Sequence, residues 1–424
     1  MLQVNVMALE RNEPGAPIRV DREARREALL EAAAIEFNAR GVSRASLSRI
    51  AKSKGLTRAA LYYYVRDRDD LVFQAYRRSC EVMAADLARA LETPGDPIAQ
   101  LSVFIRLALD PWRAPTAVLS DLDYLTGEAR TTVAAAHDHN VATLRGIVRA
   151  GVETGVFRPC DDEIVAQSII GVIAWTPLSQ AWVDGADTSY RARTVEALVD
   201  LLLNGQSADP DFAFVPPISI SAFFPSAPNP FDRVAVADAK LEHLLMTASQ
   251  VFNRRGVDGA SLDDIVGAMG ATKGALYHYL ENKAELIVRC HERAATLYER
   301  FVEAADRLGR TGLEKGAVGL YLLVQAHASG LSPLTQMVGH EALPAAFRQA
   351  LRRRNRALQR RYEGFGELGL RDGSSRAMDF NAVSQLGAGA FEWLPKWFDT
   401  RDARSDAVLA AEIVRLITIG LCRR

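Results

Sequence analysis

Two short segments of this chain carry the same chemistry. Thr57-Arg-Ala-Ala-Leu-Tyr-Tyr-Tyr64 and Thr272-Lys-Gly-Ala-Leu-Tyr-His-Tyr279 each open on a hydroxyl, follow it with a cation and end in rings. A cation there suits a phosphate oxygen. A guanidinium, phenol or imidazole can also bond base edges in a major groove, where each base pair shows a distinct donor and acceptor pattern. The candidate contacts are therefore Arg58, Tyr62 and Tyr63, then Lys273, Tyr277 and His278. For Tyr62 and Tyr277 the competing role is packing.

These residues need a helix to present them. Gly41 stands where a first helix would end, and Ser46 can cap a second over Leu47–Ser53. Gly55 supplies a turn, and Thr57 can cap a third helix over Arg58–Tyr64. The second copy repeats this with Gly256, Ser261, Leu262–Ala268, Gly270, Thr272 and Lys273–Tyr279. Helix, tight glycine turn and helix form the helix-turn-helix pattern, whose second helix enters the groove. Ile50, Leu61 and Val65 face inward, as do Ile265, Leu276 and Leu280. Ser46 and Ser261 belong to the same candidate surface.

The two segments are parts of one repeat. At an offset of 215, positions 27–71 fall on 242–286 with 20 identities in 45 and no gap. That period is too long for a solenoid and indicates duplication of a whole protein. Apolar residues recur at i, i+4 and i+8, as in Leu29, Ala33 and Phe37, so the chain reads as all-α twice over. Residues 205–237 hold six of the 17 prolines and five phenylalanines. Their rings favour an extended strap on a domain surface over a disordered tether.

T-x-x-A-L-Y-Y-Y-V-R-D-R-D-D-L and T-K-G-A-L-Y-H-Y-L-E-N-K-A-E-L, with F-x-x-x-G and S-L-x-x-I before them, closely resemble the DNA-binding signature of TetR family transcriptional regulators. The resemblance runs through the whole repeated segment of each half and occurs twice in register. It implies a three-helix DNA-binding domain and a larger all-α ligand-binding and dimerising domain, each present twice. It implies repression relieved by a small molecule, DNA contacts from Thr57 and Thr272 beside the cations and rings that follow them, and a phosphate contact from Lys283, matched in the first copy by Arg68. One half has roughly the size of one family subunit, so the chain resembles a fused dimer. The expected divisions are helix-turn-helix domains at 21–68 and 238–283, effector and dimerisation domains at 69–204 and 284–424, and a linker at 205–237.

Composition fits. The chain has 424 residues, enough for two to four domains, and a net charge of −1, so attraction to nucleic acid must be local. Residues 21–79 hold 13 basic and 8 acidic residues, whereas residues 236–294 hold 7 and 8. The first module should grip phosphates harder; drift on solvated faces or partial retirement of the second module would each account for the difference. The four cysteines lie far apart without a CxxC pair, which suggests reduced thiols in the cytoplasm. No signal peptide is evident at the start, and no apolar run is long enough to span a bilayer, so no membrane partner is expected.

The effector halves echo one another weakly, at an offset of 218. Gly171-Val-Ile-Ala-Trp175-Thr-Pro177 corresponds to Gly389-Ala-Phe-Glu-Trp393-Leu-Pro395. Arg193–Asn204 and Asp406–Leu421 carry apolar stripes that suit a four-helix bundle closing within one chain. Phe104, Trp112, Trp175, Phe347, Arg352 and Trp393 are the ligand-binding candidates, with Tyr124, Trp182, Tyr321, Phe391 and Trp397 as further possible lining. Residues 348–361 hold seven arginines and no acid. A solvated helix face and a site for an anionic ligand are both open readings.

Two patterns mislead. Gly364-Phe-Gly366-Glu-Leu-Gly369 matches GxGxxG but follows an arginine-rich helix rather than a strand, so it lacks the dinucleotide-binding context. His137 and His139 would point about 200° apart on a helix and could not share a metal. Neither a catalytic triad nor a P-loop is present, so no catalysis, cofactor or metal is expected.

The expected function is a DNA-binding transcriptional repressor released by a small apolar or acyl-type ligand, one chain acting as a pseudo-dimer on an asymmetric operator. Its partners would be double-stranded DNA, a small-molecule effector and, optionally, a second tandem chain. The rivals are a DNA-binding architectural protein without an inducer and a small-molecule-binding protein on the same scaffold.

Overall fold

The computed structural model describes residues 16–179, 188–336, 343–398 and 405–423; Trp182 lies outside them. The described residues form helices and turns, with two isolated backbone bridges and no named strand. The first unit comprises a head, α1 (Ala16–Arg40), α2 (Leu47–Ser53) and α3 (Arg58–Leu61), and a body, α4 (Arg68–Leu91), α5 (Pro97–Ala108), α6 (Gly127–Glu153), α7 (Asp162–Ser179) and α8 (Thr188–Asn204). The second head is α9 (Arg233–Gly259), α10 (Leu262–Ala268) and α11 (Lys273–Tyr277). Its body is α12 (Lys283–Leu308), α13 (Gly312–Ala328), α14 (Ala345–Asp372), α15 (Phe380–Leu386), α16 (Gly389–Glu392), α17 (Leu394–Trp397) and α18 (Asp406–Ile419). No helix among the described residues is long and apolar enough to cross a membrane.

The repeat has become two like units, with local differences. The stretch that is one helix, α7, in the first unit is broken into α15, α16 and α17 in the second. Gly387 stands there where the first unit has Ile169, close before Gly389, and each interior glycine costs a helix about 1 kcal/mol. The first helix of the first head stops at left-handed Gly41 (φ 75°), and α9 breaks at left-handed Gly256 (φ 74°), a short turn following the kink.

The units meet through an interface that repeats itself about an approximate two-fold. Arg158 Nε donates to Gly420 O at 2.7 Å, and Arg376 Nε donates to Gly205 O at 2.6 Å. Arg158 also pairs with Glu412 at 2.8 Å, and Arg376 with Asp200 at 2.6 Å. Backbone bridges join Phe157 to Cys422 and Ser207 to Ser375. α7 packs on α16, and α8 on α15 and α18. The bundle expected from the apolar stripes thus closes within the chain.

The connecting segment lies on the second unit. Ile220 and Phe223 are buried. Phe223 meets Phe301 of α12 edge-on at 4.9 Å, and Phe214 meets Tyr321 of α13 at 5.6 Å. Phe231 alone among its rings is almost fully exposed, at 92%. Burial of those other rings fixes a proline-rich stretch that has few backbone partners of its own.

Candidate nucleic-acid interface

Each head is assembled by caps. Ser46 accepts from Arg49 N at 3.2 Å to start α2, and Thr57 accepts from Ala60 N at 3.1 Å to start α3. Buried Ile50, Leu61 and Val65 lock those helices together, as Ile265, Leu276 and Leu280 do in the second head. α3 ends at Leu61, earlier than the expected Tyr64. Tyr62, Tyr63 and Tyr64 continue it as tighter turns, each N–H reaching the carbonyl three positions back, at 2.9–3.2 Å.

That geometry turns the expected rings outward. Tyr62 is 44% exposed, Tyr63 78% and Tyr277 53%. Arg58, Thr272, Lys273 and His278 are also exposed, whereas Tyr64 and Tyr279 pack partly against the cores. Arg58, Tyr62 and Tyr63 therefore lie together on one solvent-facing edge.

The two heads differ more than their net charges suggested. Lys273 pairs with Asp263 at 2.8 Å, and this hydrogen bond raises the pKa of its ammonium group. Ser261 and Asp264 form a reciprocal capping box at the start of α10, while Arg255 pairs with Asp264 at 2.7 Å. Hydrogen bonds from Ser261 hold the Asp264 carboxyl below its ordinary range. A carboxylate thus already occupies the helix start, where backbone N–H groups and the dipole would favour a phosphate. In the first head Ser48 and Arg49 stand at these positions. Arg49 there pairs with Glu36 at 2.6 Å and Lys54 with Glu31 at 3.7 Å, so part of that head's positive charge is answered locally.

Arg68 and Lys283 are turned inward onto loop carbonyls. Arg68 donates to Val42 O and Ser43 O at 3.0 and 2.7 Å, and Lys283 to Ala260 O at 2.6 Å. Each holds the loop between the first two helices, a role that the phosphate expectation did not include.

Each head is fastened to its own body by the same parts. Asn38 donates to Thr116 O and accepts from Val118 N, both at 2.9 Å. Asn253 donates to Pro333 O at 2.8 Å and accepts from Thr335 N at 2.9 Å. Buried Arg78 bonds Glu27 and Pro115 O; buried Arg293 bonds Glu242 and Leu331 O. Asn38, Asn253, Glu27 and Glu242 were visible as repeat identities, but their partners were not.

The ligand candidates scatter. Phe104 is fully buried in the first body. Trp175 is buried at the interface, its Nε1 donating to Gln385 O at 2.8 Å. Trp393 is buried with Nε1 unpartnered, Phe347 is half-buried, and Arg352 is half-buried with Nε unpartnered. Trp112 corrects the expected lining: in the turn after α5 it is 79% exposed and bounds no interior. Of the seven arginines at 348–361 on α14, Arg354 pairs with Glu299 of α12 at 2.7 Å and Arg361 with Asp306 at 3.0 Å. That stripe is partly an inter-helix seam.

A feature missed in the sequence is a buried polar group inside the second body. Tyr298 Oη and His327 Nε2 are 2.8 Å apart, and His327 stacks on Phe391. Whichever tautomer the imidazole takes, the pair leaves one polar group open, and His327 Nδ1 has no hydrogen-bond partner. Tyr362 Oη is buried without a partner as well. Burial lowers the His327 pKa to about 3, so its ring is neutral. The equivalent positions of the first body carry Met83 for Tyr298 and Leu144 for Tyr362.

Comparison with known proteins agrees with this architecture. The family model described as bacterial regulatory proteins, tetR family, matches residues 29–75 and again 244–290. A second, a tetracyclin repressor-like C-terminal domain, matches residues 95–205. The HTH-type transcriptional regulator AcrR of Shigella flexneri is 35% identical over 77 residues, 18% of this chain and 36% of the relative. The transposon Tn10 TetC protein of Escherichia coli is 30% identical over 61 residues, 14% of this chain and 31% of the relative. The chain thus spans about a third of the length of these curated relatives. Among solved structures, AibR in complex with isovaleryl coenzyme A and operator DNA shares 24% identity, covering 42% of this chain and 97% of that one, with a TM-score of 0.36. PfmR from Thermus thermophilus shares 25%, covering 41% and 92%, with a TM-score of 0.34. The DNA-binding model of the tetR family thus matches at both copies, each seated in a capped helix-turn-helix, so the chain carries two tetR-type DNA-binding regions in tandem.

Proposed function

We propose that this protein is a sequence-specific DNA-binding transcriptional regulator, a repressor released by a small molecule, whose single chain reads an asymmetric operator as a pseudo-dimer. The observation that carries the proposal is the pairing of two exposed, unlike recognition helices with an internal interface that repeats itself about an approximate two-fold. In a two-fold dimer identical helices read identical half-sites. Here Arg58, Tyr62 and Tyr63 read one half-site; Lys273, Tyr277 and His278 read the other. Thr57, Thr272, Ser46 and Ser261 add backbone contacts, and Arg68 and Lys283 support the heads from behind. The first head supplies most of the phosphate grip, because Lys273 is shared with Asp263.

The effector binds in the second body, beside Tyr298, His327 and Phe391, with Phe347, Arg352 and Trp393 as further lining. Trp175 is the first body's counterpart of Trp393, and Phe104 lies buried in that body's core. A buried donor or acceptor left unpaired costs about 1–3 kcal/mol, which a ligand's own polar group can recover. A largely apolar ligand with one uncharged hydrogen-bonding group, such as an acyl chain with its carbonyl, fits a neutral imidazole flanked by rings. Footprinting on fragments of the host genome, repeated with added acyl thioesters, tests both parts. Protection of discrete sites lost on adding a thioester is expected; absence of any protected site would overturn the regulator reading.

A further inference from the structure

A single carboxylate of the first body touches both heads. Asp121 sits just before the short turn Leu122–Tyr124, which packs against α9 of the second head. Gly41 ends the first helix of the first head, and Gly256 sits at the break in α9 of the second. A Cβ at Gly41 would lie 3.7 Å from Asp121 Oδ2, and one at Gly256 would lie 2.7 Å from Asp121 Oδ1. The Val42 N–H, beside Gly41, points at Oδ2 from 3.5 Å. The two helix ends are therefore brought together with one side chain between them. Left-handed φ at Gly256 already favours glycine, and the close approach leaves no room for a larger residue.

The turn that carries Asp121 is fixed to the first unit. Tyr124 Oη donates to Asp69 Oδ1 at 3.0 Å, and Arg130 of α6 holds Asp123 at 2.9 Å. From the other side α17 packs on α9 and brings in Lys396, whose Nζ is buried without a hydrogen-bond partner. Burial lowers its pKa, and the nearby charges of Asp121 and Asp123 only partly oppose that. A carboxylate between two helix ends, with the buried Lys396 side chain behind it, resists separation of the heads.

We propose that Asp121 is a positioning residue for DNA recognition: wedged between Gly41 and Gly256, it clamps the two heads at one separation and so sets the half-site spacing that the chain accepts. This rests on the reading that both heads bind DNA. Recognition helices held at a fixed distance fit one helical phase of the duplex, and a base pair added or removed between half-sites turns one of them off its groove.

The test has two arms. In the first, a library with the two half-sites at stepped spacings is bound by the intact chain and by Asp121→Ala and Asp121→Asn. The intact chain should prefer one spacing by tenfold or more over spacings two base pairs away. Asp121→Ala should flatten that preference to threefold or less while keeping its grip on an isolated half-site. An unchanged spacing profile in a folded Asp121→Ala or Asp121→Asn variant overturns the clamp. The second arm needs no DNA. Spin labels at Lys52→Cys and Gly267→Cys, equivalent exposed positions of α2 and α10, with Cys160→Ser and Cys422→Ser, report the distance between heads. A narrow distribution that broadens in Asp121→Asn is expected, and an equally narrow one overturns the proposal. If the intact chain binds no member of the library, the DNA reading fails, and the distance arm still decides the clamp.

Discussion

Gly171 of α7 and Gly389 of α16 face each other so closely that a Cβ on either would lie 2.5 Å from the other's carbonyl oxygen. They occupy equivalent positions in the two units, so the same small residue opens the crossing from both sides. Backbone meets backbone there, and a side chain cannot be accommodated by a rotamer change.

Gly171→Leu and Gly389→Leu should therefore each loosen the joint between units, destabilising the chain by about 1–3 kcal/mol or more in chemical denaturation. Gly146→Ala on α6, where a Cβ meets nothing within 4 Å, should be neutral or stabilising by up to about 1 kcal/mol. Equal effects at the three positions would show that the glycine crossing is not tight.

The two arginines that repeat across the interface should not be equal. Arg158 and Glu412 are both deeply buried, with side chains 7% and 11% exposed, against 22% and 39% for Arg376 and Asp200. Arg158→Met takes the 2.8 Å partner from a buried carboxylate, leaving it only the more exposed Arg415 at 3.6 Å, and should cost up to about 3–5 kcal/mol. Arg376→Met should cost distinctly less. Thermal or urea unfolding of the two variants makes the comparison, and a larger loss at Arg376 would refute it.

The heads should also differ in salt response. Arg58→Ala combined with Lys52→Ala should weaken DNA binding more than Lys273→Ala, because Lys273 is already paired with Asp263 at 2.8 Å. The first pair should lower the slope of log affinity against log salt by roughly one unit per lost phosphate contact. Titrations at several salt concentrations read this directly; matching losses and slopes would count against the asymmetry.

Much of this was legible in the residues. The repeat, the caps Ser46 and Thr57, and the inward Ile50 and Leu61 are local signals, and the helices they announce are formed. Recognition-helix length was not legible, since Tyr62 to Tyr64 tighten into i→i−3 turns that the residue types do not announce. Nor was the Lys273–Asp263 pair, because it joins neighbouring helices at an angle that sequence spacing does not set. Asp121 is remote in sequence from both Gly41 and Gly256, the two glycines it touches, and Trp112 reads as core by type alone. Contacts that depend on how bodies dock leave no periodic trace.

His327 gives the chain an acid-side signature. Its pKa is lowered by burial to about 3, whereas in the unfolded chain it returns to near 6.5. Between those values the unfolded state binds the extra proton, so stability is full above pH 6.5 and falls as pH drops, by up to about 1.4 kcal/mol per unit from this group. His327→Leu should remove that component of the slope between pH 6.5 and 5. Identical pH profiles for the two proteins would show that the imidazole is not held neutral.

The central claim is that one chain supplies both reading heads to one operator. Native mass spectrometry of the chain with a footprinted duplex, together with the protection pattern, measures this directly. One chain per duplex is expected, protecting two half-sites of unlike sequence about one helical turn or a little more apart. Two chains on a palindromic site, each using one head and tolerating disruption of the other, would contradict it.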